Sequence, residues 1–510
     1  MEKDIEEKVR LYKERLRREM GVPGRREHYR APVERPFTAE ERGRVTILFG
    51  GLTPTHEILL KGVLEGLGYK AQPLPTPDNV SLNVGKEFCN RGQCNPTYYT
   101  VGNLIKFLQG LRKEGVRDIE DRYVFITVGS CGPCRFGMYE SEYRKALRDA
   151  GFERFRVIIF NQSVDTDDRQ FEQGLKVDGR FYFSVIKGIM IGDMINEIKY
   201  KMRSYEVIPG STDKAVAESL DLLYHAFREN RRLFKPLREA KRTLGRVRID
   251  YSRVRPKVRI IGEFWAQTTE GDGNYGLPAW LESEGCEVLV EPVSGWIDYS
   301  LWSWTNYLKD RIRARKKVRE KIPLINGLVK LGFLGTLFKF YYSFYRLALG
   351  NIPSPLPSQE KLATLGGEYY NTRIAGGEGH LEVAKNLISI KEKKAHLVIS
   401  VKPFGCMPST QSDGVQSKVM SDFKDGLFIP IETTGDGEVN VKSRIQMKLY
   451  EARERAREEF ISLSRKMDTS LERVREVAAG NDFASILRLP QKATTTAGNY
   501  LLYLRRKRCI

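Results

Sequence analysis

The sequence predicts an α/β protein built from two doubly wound parallel-sheet domains, of Rossmann or flavodoxin type, that face a cleft and carry helical insertions. Three observations lead there. Short apolar, strand-like runs alternate with helix-periodic segments in two separate stretches, residues 44–165 and 257–460. The chain between them, residues 166–256, loses the strand pattern and reads as helices. Finally, 510 residues with 41% apolar side chains are enough for at least two ordinary cores.

Residues 1–43 open with MEKDIEEKVRLYKERLRREM, a charged helix with no apolar run ahead of a cleavage site, so no signal peptide is expected. A Pro/Gly/Arg-rich basic linker follows. The first domain, 44–165, begins with the strand RVTILFGG and the helix THEILLKGVLEGLGY, closed by glycine, and continues through the short strand YKAQPLP to RVIIFNQ at 156–162. The helical connector, 166–256, contains MIGDMINEIKYKMRSYEVI and ESLDLLYHAFRENRRLF, then a basic stretch. The second domain, 257–460, starts with VRIIGEFWAQ, LPAWLESEG and EVLVEPV. After a helical insertion at 300–350 it resumes with AHLVISVKPFGCMPS and GLFIPIET, and it ends in EVNVKSRIQMKLYEARERAREEF. Residues 461–510 form a helical and then basic tail that either packs back on the body or stays mobile.

The insertion is apolar between 322 and 349, yet Lys330, Lys339 and Arg346 interrupt it. No uninterrupted run reaches the roughly 18–20 apolar residues of a spanning helix, so no spanning membrane segment is expected. Two placements stay open: a lid of helices over the cleft, or an interfacial amphipathic helix whose basic flank meets anionic lipid.

The formal charge is +20, concentrated in runs such as Arg238 to Arg248, Arg311 to Lys321 and Arg505 to Arg508. That sign selects anionic partners: nucleic acid, an acidic membrane or protein surface, or phosphorylated substrates such as CoA esters and nucleotides. Aromatic platforms for bases are missing, which disfavours nucleic acid. Seven cysteines, an odd number, are too sparse for a secreted disulfide framework and point to a reducing, cytoplasmic setting.

Five of those cysteines carry the chemistry. Cys89 and Cys94 form Cys-x4-Cys, Cys131 and Cys134 form Cys-x2-Cys, and Cys406 follows another apolar strand, so separate strand ends can deliver thiolates to one point. Open parallel sheets bind ligands at the carboxyl ends of their strands. Thiolates suit zinc and iron–sulfur clusters alike, and residue type does not separate the two. The wide separation in sequence favours a functional site over a structural zinc knuckle. Cys286 reads as an inert small hydrophobe, and Cys509 has no metal-site setting.

The segments GKEFCNRGQCNPTYYTVGNLIKF, SCGPCRFGMYESEYRKAL and KPFGCMPST resemble the 2-hydroxyacyl-CoA dehydratase and benzoyl-CoA reductase-like superfamily, in particular the C-terminal part of the large CoA-substrate-specific activase-related proteins. The likeness covers about residues 44–460. It implies two Rossmann-like domains with a 4Fe-4S cluster between them. Cys94, Cys134 and Cys406 are the ligands it implies, with Cys89 and Cys131 as additional thiols that replace one of these or support a double-cubane cluster. It also implies a separate actin-like iron–sulfur ATPase as activator, an acyl-CoA substrate and assembly as a homo- or hetero-oligomer. The chain departs from the large activases in lacking their N-terminal ATPase module, and it has no GxxxxGK[ST] phosphate loop.

Other catalytic devices are weak. His28, His56, His225, His380 and His396 are scattered, and no GxSxG elbow occurs. Glu263 and Glu270 flank FWAQTT at a strand end and are the acid/base candidates. Two functional classes compete: an iron–sulfur dehydratase or reductase, or a subunit of one; and a non-catalytic electron-transfer, scaffold or zinc-stabilised binding protein.

Overall fold

A computed structural model describes residues 34–129, 134–161, 174–374, 377–480 and 488–510, together with Ile486 and scattered positions between Glu7 and Met20. The chain divides into two units, Met1–Arg35 and Pro36–Ile510. The first is helical at its described positions between Glu7 and Glu19, with exposed Arg15 and Glu19 paired one turn apart at 2.9 Å.

The second unit holds two four-stranded, wholly parallel sheets, consistent with two α/β domains. In the first, β1 (Thr46–Phe49), β2 (Lys70–Pro73), β3 (Tyr123–Gly129) and β4 (Val157–Asn161) lie in the order β2-β1-β3-β4. Ile47 faces Ala71 on one side and Val124 on the other, and Phe125 faces Val157. The second sheet repeats this order as β6-β5-β7-β8, from β5 (Lys257–Gly262), β6 (Glu287–Val290), β7 (Leu397–Pro403) and β8 (Phe428–Thr433). Val258 faces both Val288 and Leu397. Central strands such as LVISV are nearly continuous in apolar residues because parallel strands are covered on both faces. Leu397, Val398, Ile399 and Val401 are all buried.

Residues Pro36–Gly43 belong to this second unit. Glu41 sits buried 2.8 Å from the buried Arg156 guanidinium at the foot of β4. The connector forms three helices, Gly179–Arg203, Ser211–Arg228 and Phe234–Leu244. Ile195, Leu223 and Leu237 build the largest apolar core with Phe460 of the long Glu438–Lys466 helix and with Leu501 and Leu504 of Thr496–Arg506. The tail therefore packs back on the body, and Glu459 holds it by accepting from the N–H groups of Thr494 (2.8 Å) and Thr495 (2.7 Å).

Asp193 joins the halves. Its carboxylate accepts from the N–H of Val293 (2.8 Å) and Ser294 (2.7 Å), where the second domain's insertion begins, and it meets His56 Nε2 of the first domain at 3.2 Å. The other ring nitrogen of His56 meets Thr53 Oγ1 at 2.8 Å, so this histidine is tied into a structural network.

The insertion is a hairpin of Val293–Ala314 and Val318–Ala348. Among the described residues the second arm is the one helix long and apolar enough to cross a membrane by length and composition; 6% of its apolar window is buried. The charged residues that break up its apolar run leave the average hydropathy of an 18-residue window high, at 1.3.

Candidate functional site

The cysteine loop of the first domain is set by a close helix pair. Asn79–Phe88 and Asn95–Lys113 run antiparallel, and a Cβ added at Gly85 would stand 1.9 Å from the Tyr98 carbonyl oxygen, one at Gly102 1.9 Å from that of Ser81. Only glycines permit this approach. The link between the helices, 89–94, is then fixed by buried Glu142, which accepts from Asn90 N (3.0 Å), Asn90 Nδ2 (2.8 Å) and Gln93 Nε2 (2.9 Å). At its end Cys94 occupies the N-cap of Asn95–Lys113, with Sγ 3.2 Å from the Tyr139 hydroxyl and 3.3 Å from that of Thr97.

Cys134 lies beyond β3 and caps the short 3-10 turn Arg135–Met138; its sulfur accepts from Phe136 N at 3.5 Å. Cys406 lies beyond β7, the strand that holds the corresponding place in the second sheet, and caps the helix Met407–Asp422. The two domains touch here. Asn95 N donates to Phe404 O at 3.3 Å and Asn95 Nδ2 to Thr433 O at 2.6 Å, while a Cβ on Gly405 would stand 3.6 Å from the Cα of Cys94. Three thiols, each at the N-terminus of a helical segment, thus gather where the sheets meet. Such termini carry partial positive charge that favours anions.

Two buried carboxyls share the place. Glu263 follows β5 at Gly262, whose φ of +123° and whose hydrogen in place of a Cβ, which would fall 2.0 Å from Val401 O, both require glycine. Its carboxylate accepts from Ala266 N at 2.8 Å. Glu378 sits in a loop whose Gly377 presses on Pro408, beside Cys406. Burial pushes both acids up, and each carboxylate's charge near the other adds to this for Glu378. Burial also pushes Cys134 up to about 12, with Glu263, Glu378 and Cys94 contributing, and it pushes Cys406 further, with Glu263 and Glu378 again among the causes. These shared neighbours put Cys134 and Cys406 around the same pair of acids. Tyr139 is held well above the usual tyrosine range by burial, then by Cys94 and Glu263.

Of the residues expected from sequence, Cys94, Cys134, Cys406 and Glu263 come together. Cys89 caps the end of Asn79–Phe88, and its thiol, pushed up to about 12 by burial, has Glu142 and Lys145 as its charged neighbours instead. Cys131 lies outside the described residues. Glu270 is bound to Lys199 Nζ at 2.7 Å and Tyr200 OH at 2.8 Å, apart from the thiols. Cys286 is fully buried in the second sheet's core. The six described cysteines are all free thiols.

Sequence reasoning missed Glu378 and treated His380 as scattered. The signal was GGEGH ahead of a helix, a glycine-rich turn with one acid. His380 starts His380–Lys391, is 1% exposed, lies against Tyr299 and Trp302 with ring centroids 5.4 Å away, and is pushed down to about 4 by burial. Neither ring nitrogen has a hydrogen-bond partner among the described residues. Behind Cys406, Ser409 and Ser412 donate to Glu382 at 2.9 and 2.8 Å, and burial pushes that acid up to about 7.

Among the described residues no three His, Cys, Asp or Glu side chains are grouped tightly enough to hold a single metal ion. Soft thiols at three helix starts are donors of a kind that zinc and iron–sulfur clusters both take. No protein-family model matches the chain, and no curated protein matches it.

Proposed function

We propose that this chain is an iron–sulfur protein of the 2-hydroxyacyl-CoA dehydratase-like type, accepting low-potential electrons from a separate ATP-dependent activator and passing them to a bound substrate, an acyl-CoA thioester. The observation that carries the reading is the meeting of Cys94, Cys134 and Cys406 at helix starts supplied by both sheets. The repeated strand order supports two doubly wound, flavodoxin-like domains with the site at the point where the order reverses.

Cys94, Cys134 and Cys406 would hold a 4Fe-4S cluster, losing their thiol protons as they bind. When bound, such a cluster supplies one-electron transfer. The helix starts offset the negative charge of the thiolates, and burial of Cys94 and Cys406 limits water. Glu263 and Glu378 stand beside the thiols as the carboxyl groups available for proton transfer. Cys89 has Glu142 and Lys145 as its charged neighbours, and a cluster held by Cys94, Cys134 and Cys406 alone would keep an open fourth position, the mark of a catalytic rather than a relay site. Exposed Met138, Phe404 and Met407 lie within a few residues of the cysteines and suit an activator docking there. The basic surface suits CoA phosphates, and a reducing cytoplasm keeps the thiols free.

The test is iron content and the visible spectrum of anaerobically purified protein, brown for a cluster and colourless for zinc. Serine at Cys94, Cys134 or Cys406 should each abolish the cluster, and Cys286→Ser should leave it intact. The Cys89→Ser/Cys131→Ser variant should keep the full cluster; its loss there would turn the reading toward a saturated electron-transfer centre. Zinc without iron in the native protein, or stoichiometric ATPase activity of the chain alone, would defeat the proposal.

A further inference from the structure

The hairpin of Val293–Ala314 and Val318–Ala348 is buried only at its base. Val293, Ser294, Asp298 and Tyr299 are buried on the outgoing arm and Phe338, Tyr342, Tyr345 and Ala348 on the returning one, while no residue from Ser300 to Leu337 is buried. Its base is locked by the Asp193 carboxylate and by Lys339, 3.6 Å from Asp298; Arg373 touches the outgoing arm through Asp310 at 3.3 Å.

The returning arm is apolar on the side that faces solvent. Ile322, Ile325, Val329, Phe333, Phe340 and Leu347 are 44–67% exposed. At 3.6 residues per turn they fall within about 80° of arc and run for roughly 37 Å. The pattern is inverted relative to a helix that packs on a core, and it does not make a lid, whose apolar side would turn inward. Lys330 flanks the stripe on one side and Lys321 on the other, placed so that their stems can lie along it with the ammonium groups in water.

The hairpin tip supplies charge. From Arg311 to Lys321, seven of eleven residues are Lys or Arg and one is acidic. Among the described residues Lys316, Lys317, Arg319 and Lys321 have no carboxylate partner, and Arg315 shares Glu320 at 3.6 Å. An exposed apolar stripe that ends in unneutralised cations matches one kind of surface, the headgroup layer of an anionic bilayer.

We infer that this hairpin is a membrane-docking element: the Val318–Ala348 helix lies in the plane of an anionic lipid surface, its apolar stripe among the acyl chains and its basic tip on the headgroups. Lying flat follows from the anchoring. Both arms return to the same body, so a spanning arrangement would drag the seven-cation tip and the Lys309 and Asp310 of the outgoing arm through hydrocarbon. The inference is independent of the cysteine site.

The test floats the full-length protein on density gradients with vesicles of phosphatidylcholine alone or mixed with phosphatidylglycerol. Two surface variants accompany it, Val329→Ser/Phe333→Ser/Phe340→Ser and Lys316→Glu/Lys317→Glu/Arg319→Glu, each checked for an unchanged circular dichroism spectrum and melting point. The wild type should float with the anionic vesicles and be released by high salt, and each variant should bind at least about tenfold less. No flotation of the wild type, or variants that float as well as it does, overturns the inference. Resistance to alkaline carbonate overturns it in favour of a spanning helix. A dimer that dissolves in the serine variant without any vesicle binding overturns it in favour of a second copy covering the stripe.

Discussion

Alanine at Gly102 separates packing from propensity in the element that presents Cys94. The new Cβ would lie 1.9 Å from the Ser81 carbonyl oxygen and 2.4 Å from Gly85 N, against about 3.4 Å for an ordinary contact. Both neighbours are backbone of a regular helix, so no side chain can swing away, and the two helices must part by about 1.5 Å. Overpacking of this kind costs roughly 1–3 kcal/mol. The opened seam adds to it, since a gap of 0.5–1 Å already forfeits about a quarter to a half of each contact's attraction. A total of about 3 kcal/mol, set against the helix-propensity gain of up to ~1 kcal/mol from replacing glycine, leaves a net loss of about 2–3 kcal/mol. In a unit of this size that lowers the melting point by about 2–3 °C, from the usual unfolding entropy per residue. Gly85→Ala, 1.9 Å from Tyr98 O across the same seam, should behave alike, and the double variant should cost less than the sum. Gly110 is the control: it lies on the same helix with nothing within 4 Å, so Gly110→Ala should be neutral or slightly stabilising. Differential scanning fluorimetry at one scan rate measures all four. A Gly102→Ala protein that melts within about 1 °C of the wild type, or a Gly110→Ala protein that falls as far, would refute the reasoning.

Other parts of the fold give sharper electrostatic tests. Glu41→Leu leaves the Arg156 guanidinium buried without its 2.8 Å counter-charge and should cost about 3–5 kcal/mol in urea unfolding, while Glu41→Leu/Arg156→Met should recover much of it. Glu459, although burial pushes it up, is held well below the usual carboxylate range by the His396 side chain, whose Nε2 lies 3.8 Å away, and by hydrogen bonds from the Thr495 and Thr494 backbone. Its folded pKa is depressed, so its contribution is full above the unfolded value near about 4.3 and fades as pH falls toward the folded value. Glu459→Gln should therefore lose about 1–3 kcal/mol at neutral pH, and the gap to the wild type should narrow in urea melts below about pH 4; a gap that does not change with pH would contradict this. Glu142→Ala frees the loop at Asn90 and Gln93, and trypsin should then cut after Arg91 several-fold faster than in the wild type, with cleavage elsewhere unchanged.

The sequence by itself determined the local and periodic features. Alternation of apolar runs with helix-spaced segments announced two parallel sheets, because a strand covered on both faces must be apolar throughout and a crossover helix must carry an apolar stripe. Strand-end placement flagged Cys89, Cys94, Cys131, Cys134 and Cys406 with Glu263 and Glu270, since the carboxyl ends of parallel strands are where loops converge, and the resemblance singled out Cys94, Cys134 and Cys406; Cys94, however, stands between two helices rather than at a strand end. What the sequence left open depends on direction and partner, which spacing does not encode. Cys89 and Cys94 look like a pair on paper, yet one stands at a helix end with Glu142 and Lys145 as its charged neighbours and the other at a helix start with its sulfur 3.2 Å from the Tyr139 hydroxyl. Glu263 and Glu270 look equivalent, but Lys199, 71 residues from Glu270 in the chain, claims the second. Glu378 joins the site only because the Gly377 turn rests on Pro408, a contact between segments that carry no shared pattern. The apolar insertion shows the same limit. Its composition left a lid over the cleft and an interfacial helix both open, and the tertiary structure decided that the body covers only its base and leaves the stripe facing outward.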